Sequence, residues 1–285
     1  MLDHVSRSAV LHYQEEQQHV PSTDKVELET RIYKGTGRKD TCVIFAHPYG
    51  PLGGNLENNV VRALFDNFAH QGYMTVRFNF RGVGRSTGRT SFRGAGEMED
   101  VLAICHYLRS RSDLAPKRIV LCGYSYGSVA MGAIAGQVPE LAGFISISYP
   151  SGVLWFLTLF NGKKSQGSLK SISTSIPKLF ITGAKDNFTS EANFQKFVDE
   201  LPSENKTVII VPEANHFWAE WEDALVGHIN SWCAKTGLNS KSGRSASASP
   251  LRISPGTPSP TSATSSPVRS ASKSPSPSKS PGSPW

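Results

Sequence analysis

Between residues 20 and 235, short apolar runs alternate with longer stretches whose apolar residues recur at helical spacing, and nothing else in the chain constrains the fold so strongly. Strands joined through helices run parallel, because a crossover of a dozen or more residues is needed to return the chain to the same end of a sheet. "KVELETRIYKG" alternates apolar with polar residues and reads as an edge strand or hairpin, while "TCVIFAH" is continuously apolar and suits a strand buried on both faces. "NLENNVVRALFDNFAHQG", "GEMEDVLAICHYLRSR", "SVAMGAIAGQV", "SEANFQKFVDEL" and "FWAEWEDALVGHINSWCAK" carry helical periodicity. "YMTVRFNF", "RIVLCG", "GFISISYP", "KLFITGA" and "KTVIIVPEA" read as the strands between and beside them. The predicted class is α/β, a mostly parallel, doubly wound sheet without internal repeats.

In such a sheet, chemistry collects where the carboxyl ends of the strands meet. Gly-x-Ser-x-Gly occurs twice, around Ser86 in "GRSTG" and around Ser125 in "GYSYG". A strand ends immediately before Ser125 and a helix starts immediately after it, the setting of a nucleophile elbow. Ser86 lacks that setting, because "RGVG" separates it from its strand and "TGRTSFRGAG" from the next helix.

A serine hydroxyl needs a base, and the base needs an orienting carboxylate. Asp186, just past the strand "KLFITGA", and His216, just past the last strand, supply the order Ser, Asp, His. Glu191 and Glu213 are the rival carboxylates, and His47, which precedes the nucleophile, reads as a structural anchor. An oxyanion requires two preorganised donors. One is the Tyr126 N–H; the other is expected in "HPYGPLGG", where Pro48 has none to give and Tyr49 is the best candidate, with Gly50 behind it.

"HPYGPLGG", "NFRGVGRSTG", "GYSYGS", "GAKD" and "EANH", in this order, resemble the compact α/β-hydrolase enzymes grouped with serine aminopeptidase-like and dienelactone-hydrolase-like proteins. The resemblance covers about residues 40 to 235. It implies an α/β-hydrolase fold and a cofactor-free, metal-free serine hydrolase acting on a small acyl substrate. Many relatives carry Asp where this chain has Asn79, so Arg81 is expected to bond elsewhere; dienelactone hydrolases use a cysteine nucleophile. Residues 151–176 stand where relatives place a cap and are too short for a large one. Their apolar half, Val153 to Phe160, is either an acyl-binding wall that includes Trp155 and Phe156 or packing against the sheet edge.

Esterase or thioesterase activity leads this reading, since no acidic cluster for a substrate amino terminus is evident. Aminopeptidase-like or acyltransferase activity on the same triad is the alternative, as is a non-catalytic protein acting through its tail. Arg81, Arg85, Arg89 and Arg93 read as solvated loop charges, and the glycines of "RGVGRSTG" do not complete a dinucleotide fingerprint.

Residues 236–285 contain no Asp or Glu and are crowded with Ser and Pro, a composition that cannot bury enough surface to fold. The expected organisation is an N-terminal extension (1–19), a hydrolase domain (20–235) and a disordered tail (236–285). The tail's Lys241, Arg244, Arg252, Arg269, Lys273 and Lys279 account for most of the net charge of +7, so the basic balance does not indicate a nucleic-acid partner. Nine Ser-Pro or Thr-Pro pairs there suit a proline-directed kinase. Four cysteines without CxxC spacing suggest buried thiols in a reducing compartment. Neither a secretory leader nor a membrane span is evident, and a cytoplasmic location is expected.

Overall fold

The computed structural model describes residues 13–91, 94–153, 168–202 and 204–239. Its sheet has eight strands, β1 (Glu16–Pro21), β2 (Glu27–Tyr33), β3 (Arg38–Ala46), β4 (Tyr73–Phe78), β5 (Arg118–Tyr124), β6 (Leu141–Ile147), β7 (Lys178–Lys185) and β8 (Lys206–Asn215). The spatial order is β1-β2-β4-β3-β5-β6-β7-β8. β1 pairs antiparallel with β2, and β2 with β4; every other pairing is parallel. Among the described residues the longer helices that accompany the sheet are α1 (Asn59–His70), α2 (Ala95–Ser110), α3 (Tyr126–Ile134), α4 (Glu191–Asp199) and α5 (Glu222–Lys235).

The period of two along each strand divides the core. On β3, Cys42, Ile44 and Ala46 join the residues of α2, α3 and α4, while Val43 and Phe45 join those of α1 and α5. Both faces are therefore covered by helices, which is why "TCVIFAH" carries no polar residue between Cys42 and Ala46. The chain runs outward from β3 to β4, then returns to place β5 on the other side of β3. The loops that leave the carboxyl ends of β3 and β5 thus diverge at a topological switch point, where such sheets open a crevice.

Both ends of the folded body extend beyond the expected boundaries. β1 begins at Glu16, ahead of residue 20; its sequence EQQHVP offers a single buried apolar residue, Val20, as an outer strand paired on one side needs little more. At the other end Leu238 is buried against Trp232 and Gly143, and the Tyr73 hydroxyl donates to Asn239 Oδ1 at 2.8 Å with the Leu238 carbonyl a second acceptor at 3.2 Å. A lone leucine in a polar stretch gives no periodic signal. Residues 148–177 separate β6 from β7, so no large cap domain is inserted there.

Candidate active site

Ser125 caps the N-terminus of α3 with φ 53° and ψ −120°, a conformation that non-glycine residues seldom adopt. Gly123 and Gly127 permit it. A Cβ on Gly123 would lie 2.4 Å from the Ser128 backbone, and one on Gly127 would lie 2.4 Å from the Ala46 carbonyl oxygen. The second close approach draws the first turn of α3 against the end of β3. Ser125 and the loop that follows β3 become neighbours as a result.

Asp186 follows β7 and His216 follows β8. His216 Nδ1 lies 2.7 Å from Asp186 Oδ2, and His216 Nε2 lies 3.0 Å from Ser125 Oγ. An ionised carboxylate only accepts, so Nδ1–H donates to Asp186 and Nε2 is left to accept from the serine hydroxyl. The Asp186 carboxylate also accepts from the Phe188 and Thr189 N–H groups at 2.8 and 3.0 Å and from the Thr182 hydroxyl. All three residues are buried.

Tyr49 stands at the end of the β3 loop, where its carbonyl accepts from the Leu52 and Gly54 N–H groups. A Cβ on Gly54 would meet the Pro48 carbonyl oxygen at 2.1 Å, so this turn requires glycine. Neither the Tyr49 N–H nor the Tyr126 N–H bonds to another described residue, and the two rings meet edge to face at 5.2 Å. His47 fastens the loop: the Phe80 N–H donates to its Nε2 at 3.1 Å and its Nδ1 bonds the Pro48 carbonyl at 2.6 Å. Complete burial pushes its pKa down to about 4.

The remaining candidates are placed elsewhere. The Ser86 hydroxyl is consumed by the Asn79 carbonyl and the Glu29 N–H. Glu213 pairs with Lys185, and Glu191 is exposed on α4. Arg81 departs from the expectation of a solvated charge. It is buried, its guanidinium grips Asp100 at 2.8 to 3.1 Å, and Asn79 instead bonds Glu29 and the Leu56 N–H. Arg85 and Arg89 are exposed, as expected; Arg93, Trp155 and Phe156 lie outside the described residues.

Ser125, His216, Tyr49 and Tyr124 line a cleft of about 300 Å³. Its walls are mainly apolar, including Leu52, Pro150, Val153, Phe188 and Phe217. Leu52 and Phe217 are 70% and 55% exposed, and they are the two large apolar side chains singled out by exposure among the described residues. Both stand at the same cleft, and the Phe188 ring packs 4.4 Å from the His216 ring. The sequence marks these two phenylalanines only by adjacency, in "DNF" and "NHF". A larger hollow, about 610 Å³, shares Gly53 and Gly54 with this cleft and is also lined by Glu29, Arg31 and Arg85. Among the described residues, no hydroxyl or thiol lines it.

Residues 24–156 match the family model of the X-Pro dipeptidyl-peptidases (S15 family), a span that includes Ser125 and stops before Asp186 and His216. An uncharacterized protein of Rickettsia prowazekii (strain Madrid E) is 27% identical over 209 residues, covering 72% of this chain and 83% of the relative. Among solved structures, an α/β serine hydrolase homologue from Coxiella burnetii superposes with a TM-score of 0.63 at 28% identity, over 78% of this chain and 98% of that one. A Xanthomonas campestris protein described as an α/β serine hydrolase without a lid gives 0.64 at 21% identity, over 78% and 94%.

Proposed function

We propose that this chain, an α/β hydrolase, is a serine hydrolase that cleaves carboxylic esters or thioesters bearing an apolar group, through an acyl-enzyme on Ser125. The observation that carries the reading is the hydrogen-bonded series from Ser125 Oγ through His216 to Asp186, opening on an apolar cleft. Ser125 Oγ attacks the carbonyl carbon as its proton passes to His216 Nε2, while Asp186 holds the imidazole and stabilises its charge. The carbonyl oxygen becomes an oxyanion facing the N–H groups of Tyr126 and Tyr49, each donor contributing roughly 3 kcal/mol. Collapse expels the alcohol or thiol, which takes the proton from His216. Water, activated by the same imidazole, then releases the acid. No step calls for a metal or an organic cofactor.

A peptidase is the second reading, favoured by the match of residues 24–156. A substrate ammonium, however, needs an anionic partner, and no carboxylate lines the cleft among the described residues. A panel of acyl esters, acyl thioesters and aminoacyl amides, with Ser125→Ala as control, separates the readings. Ester or thioester turnover at rates far above amide turnover is the expected result; amide preference would replace the reading.

The tail is proposed to be a target of a proline-directed kinase, with regulatory or localising consequences. Ser249, Ser254, Thr257, Ser259, Ser266, Ser274, Ser276, Ser280 and Ser283 each precede proline. Each phosphate adds about −1.5 to −2 charges, so a few reverse the sign of the tail. A cytoplasmic location fits four buried free thiols, whose pKa values burial pushes up. Among the described residues no helix is long and apolar enough to cross a membrane.

A further inference from the structure

The nucleophile and its base are carried by strands that do not touch. β6 and β7 lie between β5 and β8, so the strands that carry Ser125 and His216 share no direct ladder and are linked only through two intervening strands. The base also sits on irregular backbone, since Trp218 and Glu220, shortly after it, have positive φ. Its loop is fastened at several points. Asn59 donates to the Phe217 carbonyl at 3.0 Å, and Trp218 Nε1 to the Ser148 hydroxyl at 3.0 Å. These hold the residues that follow the base, not the base itself.

One side chain does reach the backbone of His216. The Tyr124 hydroxyl donates to the His216 carbonyl at 2.6 Å, a buried bond across 91 intervening residues. Tyr124 is the last residue of β5 and directly precedes Ser125, so the bond crosses both intervening strands and ties the backbone of the base to the strand of the nucleophile. Its ring stands 5.7 Å from the imidazole. Burial, reinforced by the Asp186 charge, pushes the phenol pKa up, which keeps the hydroxyl protonated and donating.

We propose that Tyr124 is a positioning residue, whose hydroxyl sets the distance and aim of His216 Nε2 toward Ser125 Oγ. This rests on the serine-hydrolase reading and deepens it. Proton transfer tolerates little displacement: a misplacement of about 1 Å can cost on the order of a hundredfold in rate. Removing one of several anchors shifts the loop by less. A loss of about tenfold to thirtyfold in the rate of Ser125 modification is expected, with substrate affinity nearly unchanged.

The test is the rate of labelling by a fluorophosphonate, normalised to folded protein by near-ultraviolet circular dichroism. Four full-length proteins are compared: wild type, Tyr124→Phe, His216→Ala and the double variant. Tyr124→Phe should slow labelling about tenfold or more in the wild-type background and less than about twofold in the His216→Ala background, because the hydroxyl acts through the imidazole. With an ester substrate, the same substitution should lower kcat and leave KM within about twofold. Equal losses in both backgrounds, or no loss in either, would overturn the proposal while leaving the triad reading intact. Unimpaired labelling of His216→Ala would remove the triad reading, and this proposal with it.

Discussion

Acid should loosen the wall of the site through His47. Its Nε2 accepts the Phe80 N–H and its Nδ1 bonds the Pro48 carbonyl, an arrangement only the neutral ring can make, because a protonated imidazole has no acceptor. Burial lowers the folded pKa from the ordinary 6.5 to about 4. Between those values the unfolded chain binds a proton that the folded chain does not. Stability therefore rises with pH through this window, is undiminished above about 6.5, and is lost as pH falls toward 4. At about 1.4 kcal/mol per pKa unit the loss comes to about 3 kcal/mol, enough to lower a urea midpoint by about 1 M. The assay is urea unfolding of wild type and His47→Gln at intervals from pH 4 to 7.5. Glu29 and Glu57, whose pKa values are also lowered, protonate in both proteins, so the difference between the two curves isolates His47. His47→Gln should be the less stable protein at pH 7.5, with a visibly flatter acid limb. Parallel curves would refute the reasoning.

Gly127→Ala should abolish ester turnover, since its methyl would meet the Ala46 carbonyl at 2.4 Å and push the elbow from the oxyanion loop; steady-state kinetics on folded protein checks it. Phe217→Ala and Leu52→Ala should each leave acetate esters nearly unaffected and reduce kcat/KM for hexanoate esters about fivefold, the effect of about 40 Å² less apolar contact at 25 cal/mol per Å². A chain-length series gives the answer, and the same series applied to a Trp155→Ala, Phe156→Ala double variant tests whether that segment joins the wall. Truncation after Ser240 should leave Tm and kcat/KM unchanged, whereas truncation after Lys235 removes the buried Leu238 and should cost about 2 to 4 kcal/mol, read by thermal unfolding.

The three central residues were legible because each directly follows an apolar strand whose end a parallel sheet directs to one edge. Ser125, Asp186 and His216 are spread over 92 positions, yet topology brings them within hydrogen-bonding distance. What escaped the sequence depends on contacts between distant segments. β1 is polar because it lies at the outer edge of the sheet, and Leu238 is a single residue with no period. Arg81 reads as a loop charge because its partner, Asp100, lies on α2, and only the fold shows the pair to be buried. Phe188 and Phe217 stand close to Asp186 and His216 in the chain, but adjacency in sequence does not distinguish a core ring from a cleft wall. Tyr124 was visible as a flank of Ser125, while its partner is a backbone carbonyl, and no residue type encodes that.

The central claim is that Ser125 is the nucleophile. Intact-mass and peptide mass spectrometry of folded protein treated with a fluorophosphonate tests it most directly, in parallel with Ser125→Ala and Ser86→Ala. The account predicts a single adduct on the peptide containing Ser125, undiminished in Ser86→Ala, and neither adduct nor ester turnover in Ser125→Ala. An adduct on Ser86, or full turnover by folded Ser125→Ala protein, would contradict it.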